Sequence, residues 1–400
     1  MKLTPFQEKL VLLLLFLVLF ALETVVAQRY LTSQVPGAND FYSRWHGAKA
    51  LLLEGRDPYG LDVTAEIQPV IRIDPSEVGR GGFAYPLHVI FLFWPLVYLP
   101  YDWTQAIWLV MLQWLAIGTG IALIGWKRLT LKPAAALAVL LSVLFFYPVA
   151  RTILLGQFTL HVAFFLVMAL WLLDRGRDEW AGVFLAATSV KPQMVIFIGP
   201  WLVLWAMGQK RWRFVGGVVA GGAVMFAAAM LLFPRWPISF MEDVQRYSQV
   251  AGGRNPLALI LETLWPGYPE PLRYLIAALL VAIMLYTWWQ GWRATGYLSE
   301  RALFWTIAVS LTITFQTGTT NQVLLVIPFF AWLLALKERR GIGVAAISLL
   351  AFELALWLLF FATISGNYEN PLLFLPLPFF TLAILMLQAW KDYRLASTTP

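Results

Sequence analysis

The first candidate for chemistry is a carboxylate, Asp40, set in GANDFYSRWHG just after the first apolar run and opening a polar segment that closes at Tyr85-Pro86. An aspartate at a membrane surface, where a water-soluble hydroxyl can meet a lipid-linked donor, has the place and the chemistry of a general base. Aspartate also caps surface helices, and that reading stands beside the catalytic one. Cations come next. Lys191, immediately before Pro192 in an otherwise apolar stretch, together with Arg151 and Arg44, offers the positive charge that a phosphate leaving group needs. Each is equally the kind of residue that anchors a helix end or bend at the interface. Tyr85, Gln157 in ILLGQFTLH, and Gln316 and Asn321 in FQTGTTNQ supply neutral hydrogen-bonding groups suited to a sugar and its acceptor, or to plain polar turns. Glu54, Asp57, Asp62, Glu66, Asp74 and Glu77 read as solvated loop charges. With only His46, His88 and His161 and no tight carboxylate cluster, neither a metal site nor a cofactor is expected.

The elements that must hold these groups are membrane helices. Hydrophobic residues make up 60% of the 400-residue chain and charged residues 13%, about half the charged share of a soluble domain, so the class is polytopic and membrane-embedded. The 20 Trp, 14 Tyr and 28 Phe fit interfacial belts and apolar spans. A net charge of +7 gathers in short clusters between apolar runs, which makes it a signal of topology rather than of nucleic-acid binding. The absence of cysteine excludes disulfides and thiolate metal sites. The run from Leu10 to Ala27 has no cleavage site and reads as an uncleaved first helix.

Placing the basic clusters inside puts about twelve spans near 10–27, 103–126, 134–150, 158–173, 180–190, 193–207, 214–233, 273–291, 302–316, 322–336, 343–364 and 372–389, with both termini cytoplasmic. Segment 87–100 is expected to lie along the interface, broken by Pro95 and stopped by Pro100; a crossing helix there would put the Lys127 cluster outside. Lys191-Pro192 is expected at an apex between two short helices. Glu353 falls inside a span, where an acid should face the bundle and find a partner. The chain reads as one membrane domain, 1–400, with a first external loop at 28–102 that carries surface helices.

Under this topology the unusual polar motifs collect on the external face. That one-sidedness argues for a site at the outer leaflet and against a substrate path through the bilayer; a plasma membrane is the expected location. No phosphate-binding glycine loop with Lys-Ser/Thr and no strand-helix alternation is present, which argues against a nucleotide-sugar donor. A lipid-linked-sugar flippase or other transporter is the rival class; it would show internal repeats and polar or charged groups near the midplane, and the sequence shows no repeat and few such groups.

The order of these features resembles the polyprenol-phosphate-sugar-dependent glycosyltransferases of the GT-C fold, and among them glycosyltransferase family 87, which includes mannosyltransferases and arabinofuranosyltransferases. The matching pieces are NDFYSRWHGAKALLLEGRDPYG with Asp40, Tyr85-Pro86, Gly156-Gln157, and Lys191-Pro192 followed by an apolar span and QKRWR. The usual Tyr-Pro-Pro is Tyr85-Pro86-Leu87 here. The resemblance implies a catalytic half at 1–233 and a more variable helical half at 234–400. It also implies Asp40 as the general base of an inverting transfer from a polyprenyl-phosphate-linked sugar, a mannose-like hexose or a pentose, to a glycolipid or glycan acceptor. Membrane lipids are the remaining partners, and no nucleic acid is expected.

Overall fold

The computed structural model describes residues 4–34, 37–73, 80–250, 255–293, 296–315, 317–366 and 369–398. Its regular elements are helical, as the apolar runs require. A crossing helix must span about 30 Å at 1.5 Å per residue. Among the described residues seven helices are long and apolar enough: Pro5–Thr32, Tyr101–Trp126, Trp212–Leu232, Glu270–Arg293, Thr319–Arg340, Ile342–Thr363 and Pro371–Asp392. An eighth results if Pro133–Phe145 and Tyr147–Leu155, bent by 58°, form one span. The other segments counted toward twelve are helical but short: Thr159–Asp174, Asp178–Ala187, Ile198–Gly208 and Glu300–Ile313. Segment 87–100 forms two 3-10 turns, Leu87–Leu92 and Trp94–Tyr98, with Pro95 at the start of the second. At about 2 Å per residue neither turn can cross a bilayer.

Contacts divide the chain into two compact units. The first comprises 1–117, 152–157 and 229–250. Its N-terminal helix, capped by Thr4 and Gln7, is apolar and exposed along Leu10–Leu19, as a lipid-facing helix should be. Phe16 packs edge-on against Trp114, whose indole donates to Glu23, and Gln28 and Thr32 bond to Asp102. The first loop is built on helix Asn39–Glu54, which buries Phe41, Ser43, Trp45, Ala48, Ala50 and Leu51. The Trp45 indole and the Thr104 hydroxyl both donate to the Leu96 carbonyl, fastening the second 3-10 turn.

The second unit comprises 118–151, 158–228 and 251–400. Helices Asp178–Ala187 and Trp212–Leu232 approach closely at Gly182 and Gly217, where a methyl group would strike the facing backbone at 2.2 Å. Trp201 stacks on Trp288, which donates to Thr306 and so ties three helices together. Six helix ends share one set of ion pairs: Lys127 with Glu300, Arg128 with Asp174, Arg211 with Asp178, and Arg301 with Asp392. Four of the basic residues used to assign topology, Lys127, Arg128, Arg211 and Arg301, are thereby brought to one end of this unit. Glu353 lines an apolar groove of about 230 Å³ with Ser142, Phe329 and Lys337. Contrary to expectation, its Oε1 has no hydrogen-bond partner among the described residues.

Candidate active site

Helix Asn39–Glu54 starts at Ala38, a left-handed residue at φ 51° that offers no side-chain cap. Asp40 is therefore the second residue of the helix and not its cap, placed where the first-turn dipole favours an anion. Ala38 is held in this conformation from several sides. Its N–H donates to the Leu154 carbonyl at 3.3 Å, and its own carbonyl accepts from Phe41, Tyr42 and the Tyr101 hydroxyl.

Gly156 brings the second half of the site to this point. It lies at φ 70°, and a Cβ there would come within 2.8 Å of the Cβ atoms of both Ala38 and Phe41. Only glycine permits that approach. Phe41 is fully buried, stacked on Trp108 at 4.2 Å, and the Trp108 indole donates to the Gly156 carbonyl at 2.9 Å. The next residue, Gln157, donates from Nε2 to Asp40 Oδ2 at 2.7 Å. Its Oε1 accepts the Tyr85 hydroxyl at 2.9 Å. Arg44, one turn after Asp40, donates to the Asp40 carbonyl at 2.8 Å and lays its guanidinium over the Tyr85 ring at 4.5 Å.

Four of the eight residues singled out in the sequence thus form one cluster: Asp40, Arg44, Tyr85 and Gln157. Burial pushes the Tyr85 phenol above its ordinary range, against the pull of Arg44, so at neutral pH it remains a hydrogen-bond donor. Among the described residues no hydrogen bond to Asp40 Oδ1 accompanies the one that Gln157 makes to Oδ2.

The other candidates belong to the second unit. Lys191 is buried, at the junction of the 3-10 turns Thr188–Val190 and Pro192–Met194 that join helices Asp178–Ala187 and Ile198–Gly208. The apex expected from Lys191-Pro192 is thus two tight turns. Arg151 faces Glu369 at 3.8 Å and lies over the Phe360 ring. Glu369 also accepts from Tyr147 at 2.5 Å and Thr319 at 2.6 Å. Asn321 is buried in the turn Thr319–Leu325. Gln316 lies outside the described residues, as do Asp74 and Glu77. Glu54, Asp62 and Glu66 surround Arg56 at the surface, in keeping with solvated charges. Asp57 instead accepts from the Ser239 hydroxyl and the Tyr59 N–H.

Sequence reasoning missed Asp243 and Arg246. Asp243 is fully buried in helix Trp236–Val250, accepts the Ala84 N–H at 2.8 Å and lies 3.4 Å from Arg246. Ser239, Asp243 and Arg246 share one helical face by spacing, a signal that was legible. It was passed over because a polar stripe on an amphipathic helix is ordinarily read as its solvent face.

No curated protein and no solved structure matches the chain. The model of glycosyltransferase family 87 matches residues 83–315, a stretch that holds Tyr85, Gln157, Lys191 and Asp243 and begins downstream of Asp40. That match covers more than half of a chain whose helices are those of a multi-pass membrane protein, and the chain belongs to glycosyltransferase family 87, an assignment that makes it a glycosyltransferase.

Proposed function

We propose that this protein is a GT-C-type transferase of the plasma membrane, working at the external face. It moves a mannose-like hexose or a pentose from a polyprenyl-phosphate donor to a glycolipid or glycan, with inversion and with Asp40 as general base. The observation that carries this reading is the Gln157 bond to one oxygen of Asp40, which orients the carboxylate while the other oxygen stays open. In the reaction, Oδ1 takes the proton of an acceptor hydroxyl as that oxygen bonds to the anomeric carbon. The bond from the anomeric carbon to the phosphate oxygen breaks on the opposite face, and polyprenyl phosphate leaves with the electron pair. A β-linked donor then yields an α-glycoside. Charge developing on the phosphate calls for cations, and Lys191, Arg44 and Arg151 are the candidates. Tyr85, Gln157, Asn321 and Gln316 are the candidates for holding sugar and acceptor hydroxyls.

The test is transfer of radiolabelled sugar from polyprenyl-phosphate mannose and polyprenyl-phosphate arabinose into membrane lipid and polymer fractions, comparing native protein with Asp40→Asn. Label transfer that disappears in a folded Asp40→Asn variant supports the reading. Equal transfer by both removes Asp40 as base. Movement of lipid-linked sugar across vesicles without transfer favours a flippase.

A further inference from the structure

We propose that Asp243, together with Arg246, is a positioning residue that acts on the reaction through the Ala84–Tyr85 turn. This rests on Asp40 being the base. Helix Trp236–Val250 directs three polar side chains from one face into the first loop of its own unit. The Ser239 hydroxyl donates to Asp57 at 2.7 Å, Asp243 Oδ2 accepts the Ala84 N–H at 2.8 Å, and Arg246 donates to the Tyr59 carbonyl at 2.8 Å. Tyr59 returns its hydroxyl to the Tyr85 carbonyl at 2.7 Å.

The turn is therefore gripped on both sides of the residue that matters. Ala84 is left-handed, at φ 46°, a conformation alanine adopts only under constraint from its surroundings. Its N–H is held by Asp243 and the following carbonyl by Tyr59. Gly82 makes room for this: a Cβ there would come within 3.2 Å of the Asp243 carboxylate. Fixing Ala84 and the Tyr85 carbonyl aims the Tyr85 phenol at Gln157, and Gln157 in turn holds Asp40. Asp243 itself is fully buried, so it acts on the reaction through Tyr85.

A double-mutant cycle tests the route. Native protein, Asp243→Ala, Tyr85→Phe and the double variant are compared in membranes with the two donors named above. Asp243→Ala, which removes the Ala84 acceptor, is expected to lower kcat about 10- to 100-fold while the donor KM changes less than about 3-fold. In the Tyr85→Phe background the same change is expected to cost under about 3-fold, because its target is already lost. Fully additive losses, or native kcat in Asp243→Ala, overturn the proposal. Arg246→Gln, which leaves the Ala84 acceptor in place, should show the same coupling if Asp243→Ala folds poorly. Hydrogen exchange does not depend on the donor: the Ala84 amide is expected to exchange at least about 10-fold faster in Asp243→Ala, and unchanged exchange overturns the clamp. Asp40→Asn in the same series separates the two ideas. Full activity there removes the base assignment, whereas the exchange result still judges the clamp.

Discussion

Gln157 donates its amide to Asp40 Oδ2 at 2.7 Å across 117 positions of chain, and its amide oxygen accepts the Tyr85 hydroxyl at 2.9 Å. The phenol fixes which way the amide points, because a hydroxyl donor must meet the oxygen and so leaves the NH2 group for the carboxylate. Asp40 is thereby oriented by a neutral amide.

Gln157→Ala is expected to reduce sugar transfer about 10- to 100-fold by releasing the carboxylate. Gln157→Glu should be worse, since two acids would then face one another. Label transfer with matched protein amounts checks both. Native rates in Gln157→Ala would show that Asp40 needs no such orientation.

Gly156→Ala is expected to destabilise the fold and to abolish most activity. The substitution places a methyl group 2.8 Å from the Cβ atoms of Ala38 and Phe41 and strains a residue at φ 70°. Overpacking alone costs about 1–3 kcal/mol, and the left-handed conformation about 1–2 kcal/mol more. Thermal melting in detergent reads the loss.

Burial pushes the Asp243 carboxyl above the ordinary aspartate range, against the Ala84 N–H, Arg246 and Arg44, which pull it down. A group raised in the folded state contributes stability fully present below its unfolded value, near 4, and lost as pH rises through the folded one. Native protein should therefore lose melting temperature relative to Asp243→Asn, whose amide does not titrate, as pH is raised from about 4 through the raised folded-state value. The opposite slope would mean that the ionised pairing with Arg246 outweighs burial.

Glu353→Leu is expected to raise stability. Oε1 of this acid is buried in an apolar groove without a partner among the described residues, and such a group costs about 1–3 kcal/mol. A higher melting temperature with unchanged transfer would show that the carboxyl is dispensable. A loss of transfer would give Glu353 a role.

The apolar runs by themselves determined a helical membrane protein, because continuous apolar stretches of about 20 residues satisfy their backbone in lipid as helices, whereas barrel strands would alternate apolar and polar residues. The motifs around Asp40 and Gly156-Gln157 pointed to residues that do meet, since Gly156 marks a close backbone approach whatever lies opposite. The break at Pro95 was legible too, as proline interrupts a helix locally. Helix length was less so: the stretch near 193–207 reads as a span, but the 3-10 turn after Lys191-Pro192 leaves only the 11-residue helix Ile198–Gly208, while helix Thr159–Asp174 matches its stretch and is, at 16 residues, still short for a crossing. What only tertiary structure decided is the pairing of polar groups distant in the chain. Asp243 and Ala84 are 159 positions apart, and neither residue type announces the other. A buried carboxylate on an amphipathic helix looks like a surface charge until the turn that it holds is folded beneath it.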